Sequence, residues 1–178
     1  MPNISLSSRC NLHCPYCFAH ETMGAGSGDI TLENFDAALE FLTRTGPVNI
    51  GLIGGEPTLH PHFDEIVRRV VACENVVMLT VYTNGLLIEK HADVLSLPKV
   101  TLLVNWNAPN ELREGAFEQI KRGVDELVFN RDMGRRINLG LNLHGESMEY
   151  GYMLDLLKRY GFDKVRISLT VPEFPEGC

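Results

Sequence analysis

A chain of 178 residues, 44% apolar and 22% charged, has room for one domain (residues 1–178) with its own hydrophobic core. Its 16 basic against 23 acidic residues leave a net charge of −7 with no basic stripe, which excludes broad nucleic-acid or anionic-membrane binding. No stretch nears the ~20 apolar residues of a bilayer span, and the first nine residues, "MPNISLSSR", lack the basic and apolar regions of a secretory signal. A reducing, cytoplasmic setting is therefore the expectation.

The elements alternate along the chain. "NISLSS" (3–8) reads as a strand, and "TLENFDAALEFLTRTG" (31–46) as a helix with Thr31 as N-cap and Gly46 at its end. Strand 48–55 precedes a helix over 62–74, in which Pro61 is expected at the first helical position. Strand 76–85 precedes a short helix over 89–97, and strand 100–107 a long helix over 111–132. Strand 136–145, a helix over 148–161 and strand 164–173 complete the run. Apolar strands each separated by a helix imply parallel pairing with helices packed outside. Six such units fall short of an eight-stranded barrel of ~200 to 250 residues. They predict an α/β fold, either an open doubly wound sheet or a partly closed barrel, with the last helix missing or truncated.

Polar residues gather where the strands end: the cysteine loop after the first strand, then "GGEPTLHPH" (54–62), "TNG" (83–85), "NWNAPNE" (105–111), "NLHGE" (142–146) and "TVPE" (170–173). In parallel α/β folds these C-terminal ends converge on one rim, where ligands bind. The six stretches are therefore expected to form one site.

"CNLHCPYC" (10–17) places three of the five cysteines in a C-x3-C-x2-C pattern. An odd, clustered set points to metal rather than disulfides. Thiolates suit zinc, copper or an iron–sulfur cluster. A structural zinc site wants four ligands and would need His13 or His20 as the fourth. A cubane held by three cysteines leaves one iron without a protein ligand, and an open coordination position marks a reactive site.

The cysteine pattern with Tyr16 inside it, followed by "GGEPTLHP", resembles the radical S-adenosylmethionine (SAM) superfamily. The resemblance extends over essentially the whole chain and implies a partial (β/α)6 barrel. It further implies that Cys10, Cys14 and Cys17 hold a [4Fe–4S] cluster whose fourth iron is chelated by SAM. Gly54, Gly55 and Glu56, followed by Pro57, would bind the methionine ammonium; two glycines admit close backbone approach, and carbonyl and carboxylate oxygens suit a cation. Thr83 and Asn84 resemble an element near SAM in relatives, and equally fit turn chemistry before Gly85. Asn105 and Asn107 stand where relatives often show Ser-x-Asp, a departure from the pattern that removes the charge. Asn142, Thr170 and Val171 would flank ribose and adenine by position. Tyr16 would cover the adenine or pack the loop.

His144 with Glu146 is the acid–base candidate at the fifth strand end. His60 and His62 fit a helix start, Trp106 points by alternation into helix packing, and Cys73 reads as a small buried hydrophobe. Asn11 and His13 are potential-tuning candidates.

The implied chemistry is reductive cleavage of SAM to methionine and a 5′-deoxyadenosyl radical, which abstracts hydrogen from a substrate. The cofactor carries that chemistry, while the protein supplies binding, orientation and electrostatics. The implied partners are an external flavodoxin- or ferredoxin-like electron donor and a peptide, protein or cofactor-precursor substrate. The chain would be a minimal enzyme or the N-terminal part of a longer protein. A glycyl-radical-enzyme activase is the alternative function, and a non-catalytic iron–sulfur electron carrier is the alternative of another class.

Overall fold

The computed structural model describes residues 1–14, 16–17, 28–143, 150–162 and 164–169. Six strands, β1 (Asn3–Ser5), β2 (Val48–Ile53), β3 (Val76–Thr83), β4 (Val100–Asn105), β5 (Ile137–Leu143) and β6 (Val165–Leu169), form one sheet in sequence order. Every neighbouring pair is parallel. Five α-helices lie between them: α1 (Leu32–Thr43), α2 (Phe63–Ala72), α3 (Ala92–Leu95), α4 (Ala116–Asp125) and α5 (Gly151–Tyr160). The fold is thus an α/β, partial (β/α)6 barrel. Residues 170–178, where a sixth helix would begin, lie outside the described residues.

Alternation along each strand divides the sheet into two faces. Ile4, Leu52, Val81 and Leu102 share the outer face through the registers Ile4↔Leu52↔Val81↔Leu102. They are buried with Phe35 of α1, Ile66 and Val70 of α2, Ile120 of α4 and Leu156 of α5. Trp106 also turns outward as alternation predicts, 1% exposed, with its ring centroid 5.5 Å from Phe117 and 6.2 Å from Tyr160. The corresponding residues of β6, Val165, Ile167 and Leu169, are 36%, 60% and 72% exposed, because no described helix covers them.

Several boundaries differ from the sequence reading: β1 ends at Ser5 rather than at residue 8, and the helix over 89–97 is a 3-10 turn, Glu89–His91, followed by the short α3. Thr31 caps α1 by accepting the Asn34 N–H at 3.2 Å, as expected, but the helix ends at Thr43, whose hydroxyl turns back onto the Leu39 carbonyl. Pro61 does not open α2. A separate 3-10 turn, Pro57–Leu59, precedes it, and His62 is the residue before the first helical one. The long helix over 111–132 is broken: a 3-10 turn at Pro109–Glu111 leads to Gly115 in the left-handed region (φ 76°), and α4 starts only after it. That backbone conformation is open to glycine and ends any continuous helix there.

Asp125 ties α4 to α5. Its carboxylate accepts from the Arg159 guanidinium at 3.2 and 2.9 Å and from the Tyr160 hydroxyl at 2.7 Å. Partial burial pushes this carboxyl up, but the hydrogen bonds from Arg159 and Tyr160 outweigh it and hold the group below its ordinary value. A depressed carboxyl stabilises the fold when ionised, so its contribution is present above about pH 4 and is lost as pH falls through the lowered value. Asp125→Asn should therefore cost about 1 kcal/mol in urea denaturation at pH 7. The gap from wild type should close toward pH 3, whereas a gap independent of pH would refute the ionic contribution.

Candidate functional site

The chain leaving β1 lies on the end of β2. Leu6 N–H donates to the Ile53 carbonyl at 2.9 Å, Gly55 N–H to Ser7 at 2.8 Å, and Glu56 N–H to Arg9 at 2.8 Å. A side chain at either glycine would collide with this segment. A Cβ at Gly54 (φ +151°) would fall inside contact distance of the Ser7 carbonyl oxygen, and one at Gly55 inside that of Arg9 and 3.1 Å from the Cys10 Cβ. The close approach these glycines permit is therefore, first, that of the cysteine loop itself. Arg9 fastens the same segment through Asp29 (3.2 and 2.7 Å) and the Leu59 carbonyl (2.8 Å).

Glu56 is 1% exposed and its carboxylate is enclosed by donors. Oε1 accepts from the Thr58 N–H (3.2 Å), the Thr58 hydroxyl (2.5 Å) and the Thr83 hydroxyl (2.8 Å), and Oε2 from the Asn84 N–H (2.7 Å). Burial pushes its pKa up, opposed by those same hydrogen bonds. The side chain thus braces the ends of β2 and β3 together. Pro57 is buried at the start of the 3-10 turn beside it. The carbonyls of Gly54 and Gly55 accept no backbone N–H among the described residues.

The thiols of Cys10, Cys14 and Cys17 are unbridged and half-buried. Burial pushes the Cys10 thiol up, the Leu12 N–H opposes this, and the negative charges of Glu56, Cys14 and Cys17 add to it. Two amides reach these sulfurs from other strand ends: Asn107 Nδ2 lies 3.4 Å from Cys14 Sγ, and Asn84 Nδ2 4.0 Å from Cys10 Sγ. Asn84 also donates to Asn11 Oδ1 at 2.7 Å. The Tyr16 hydroxyl donates to Asn107 Oδ1, with Asn142 close enough to share it. Burial, and then the nearby Cys14 charge, raise the phenol's pKa, so it remains a donor. Tyr16 thereby pins the cysteine loop to the end of β4. Asn105 turns onto the inner face, where its Oδ1 fills the space above Gly140.

Among the described residues no three of His, Cys, Asp or Glu converge on a single-ion position. In a polynuclear cluster several metal–sulfur bonds separate one cysteine from the next. Amide donors aimed at thiolates are the support such a cluster uses.

The structure thus brings together Cys10, Cys14, Cys17, Tyr16, Glu56, Thr83, Asn84, Asn107 and Asn142. His144, Glu146, Thr170 and Val171, together with His20, lie outside the described residues. His60 is not part of a helix start: it is buried, with Nε2 2.8 Å from the Ile30 carbonyl and Nδ1 accepting the His62 N–H. Cys73 is only partly buried, at the end of α2. The bracing roles of Thr58 and Arg9 had no sequence signal beyond their adjacency to the two motifs.

The profile described as the Radical SAM superfamily matches residues 4–150. Among curated proteins, the chain is 31% identical over 132 residues to the GTP 3′,8-cyclase of Peptoclostridium acidaminophilum, covering 69% of this chain and 41% of that protein. It is 39% identical over 130 residues to the probable GTP 3′,8-cyclase of Methanocella arvoryzae, covering 68% and 41%. The chain therefore spans about two-fifths of the length of these relatives. Among solved structures, anSMEcpe with bound AdoMet and a Kp18Cys peptide superposes with a TM-score of 0.71 at 20% identity, over 100% of this chain and 55% of that one. That likeness carries the fold.

Proposed function

The chain belongs to the Radical SAM superfamily, with a [4Fe–4S] cluster and SAM as its cofactors, and on that premise we propose that it forms the catalytic core of an enzyme acting on a small cofactor precursor of nucleotide type. The observation that carries the catalytic reading is the rim itself. Three half-buried thiols stand beside the ends of β2, β3, β4 and β5, with amides from two of those ends directed at sulfur.

When bound, the cluster and SAM supply an electron transfer that cleaves the sulfonium and yields a hydrogen-abstracting 5′-deoxyadenosyl radical. The chain's own groups do the rest. Cys10, Cys14 and Cys17 would hold the cluster. The Gly54 and Gly55 carbonyls accept from the methionine ammonium, with Glu56 holding that turn in place and contributing negative charge beneath it. Asn84 and Asn107 orient the thiolates, and Asn142 and Tyr16 close one side of the cosubstrate's nucleoside. His144 and Glu146 remain the acid–base candidates at the fifth strand end. Electrons come from an external flavodoxin- or ferredoxin-like donor.

The nucleotide-type substrate is favoured over a peptide or protein because the relatives at 31% and 39% identity are named GTP 3′,8-cyclases, whereas the peptide-bound neighbour is 20% identical. The activase and electron-carrier alternatives have no corresponding support. Among the described residues no helix is long and apolar enough to cross a membrane.

The test is anaerobic reconstitution with iron and sulfide, then dithionite and SAM. We expect 5′-deoxyadenosine and methionine from the wild type and at least a ~100-fold loss in Cys14→Ala, given that bare removal of a metal ligand disables the site. A reduced cluster whose EPR spectrum ignores SAM would establish the carrier instead, and a colourless zinc protein would refute both. With GTP deuterated on the ribose, deuterium in 5′-deoxyadenosine supports the nucleotide reading. Its absence there, with transfer from a deuterated peptide, would overturn it.

A further inference from the structure

A packed α/β barrel fills its interior with bulky branched side chains. Here the inner face of the sheet is largely polar. The registers set Tyr82 beside Leu103 and Asn138, then Asn105 beside Gly140 and Arg166, then Asn142 beside Ser168. Below the rim these strands leave a cavity of about 260 Å³ bounded by Thr80, Tyr82, Leu103, Asn138, Lys164 and Arg166.

Arg166 is the one charged residue in the six strands, which contain no aspartate or glutamate. Its neighbour on β5 is Gly140, over which the Asn105 amide sits. The guanidinium crosses the inner face toward β3 and lies over the Tyr82 ring, 5.7 Å from its centroid. Arg9, Arg69, Arg122, Arg131 and Arg159 all have carboxylate partners. Among the described residues neither Arg166 nor Lys164 has one. Two cations thus share a polar cleft with no counter-ion among the described residues, in a chain whose net charge is −7. A focused positive site on an acidic protein selects anions. A guanidinium offers a fork of donors to an oxyanion; of the other polar groups in the cleft, the Thr80 hydroxyl is paired with Thr101 at 3.0 Å and Asn138 Nδ2 lies 3.5 Å from the Leu102 carbonyl.

We infer that this cleft binds an oxyanionic group of the substrate, phosphate or carboxylate, with Arg166 as the specificity-determining residue and Lys164 assisting. Arg166 stands two residues below Ser168 and Asn142, roughly 7 Å along the strands. A ligand anchored by its anion there extends toward the Asn142 and Asn107 end, where the hydrogen-abstracting radical is proposed to form. This rests on the proposed function, in that the barrel interior receives the substrate.

The test is calorimetric titration of the SAM-loaded, reconstituted holoenzyme with inorganic pyrophosphate and, separately, succinate, at two salt concentrations. We expect one anion to bind with an affinity that falls as salt rises. Arg166→Gln should weaken it at least ~10-fold, Arg166→Lys should recover part of that loss, and Lys164→Gln should weaken it ~3-fold, since Arg and Lys differ in bidentate capacity. Pyrophosphate binding identifies a phosphate-bearing substrate, and succinate alone a carboxylate-bearing one. Binding of neither anion by the wild type overturns the inference. So does equal affinity in wild type and Arg166→Gln, with circular dichroism showing the variant folded; Lys164→Gln decides the matter if it is not. Wild-type release of 5′-deoxyadenosine is measured in the same preparation. Its loss defeats the functional reading, whereas its presence without anion binding defeats only this site.

Discussion

Gly55→Ala is expected to leave the barrel folded and to cut cluster loading at least ~10-fold. The added methyl would collide with the backbone carbonyl of Arg9 and press on the Cys10 Cβ, neither of which is the far end of a flexible side chain. Forcing a methyl into such a space costs about 1–3 kcal/mol, through displacement of whichever segment yields. The yielding partner here is the Ser7–Cys10 segment, which has two backbone hydrogen bonds to this turn and Arg9 as its anchor. The sheet and helix layer are packed independently of it. A penalty of 1.4 kcal/mol is a factor of ten in population, so the cysteine triad should be misplaced in most molecules. Iron and sulfide per chain and the visible charge-transfer absorption report the loss, with thermal denaturation as the control for folding. Gly28→Ala is the matched neutral change, because a Cβ there meets nothing within 4 Å. Full iron loading in Gly55→Ala would show that the glycine pair serves only the cosubstrate.

Glu56→Ala should have the largest effect on stability, about 3–5 kcal/mol in urea denaturation. Removing the carboxylate strands four donors, the Thr58 N–H and hydroxyl, the Thr83 hydroxyl and the Asn84 N–H, in a site that is 1% exposed. Each stranded buried donor costs about 1–3 kcal/mol, and some will turn to water in the relaxed variant. Glu56→Gln keeps one carbonyl acceptor but must face an NH2 toward a donor on one side, so about half the loss should remain. Stability within ~0.5 kcal/mol of wild type in Glu56→Ala, accompanied by lost SAM binding, would mean the carboxylate serves the ligand and not the frame.

The local features of this protein were legible in its residues. The apolar runs and the helical stretches between them marked each described strand and α-helix, and the cysteine spacing with Gly54-Gly55-Glu56 pointed to one end of the sheet, because these are properties of short stretches of chain. Trp106 was placed correctly by alternation alone. Helix ends were less legible. At Gly115 the chain needed a left-handed residue to bring α4 back onto the sheet, and the periodicity of 111–132 carries no sign of that bend.

What required the tertiary structure was the partnering of polar groups far apart in sequence. Asn107 and Cys14 are 93 positions apart, Asn84 and Cys10 74, and Glu56 and Thr83 27. Arg166 and Tyr82, 84 positions apart, meet only because β3, β4, β5 and β6 lie side by side in register. The chain itself determined which residues belong to strands, to helices and to the cysteine loop, since steric preference and apolar periodicity act over a few neighbours. The register between strands decided which asparagine meets which sulfur and where the Arg166 guanidinium comes to rest. Register is set by how the helix layer packs on the outer face and by where glycines leave room on the inner one, and both are properties of the assembled sheet.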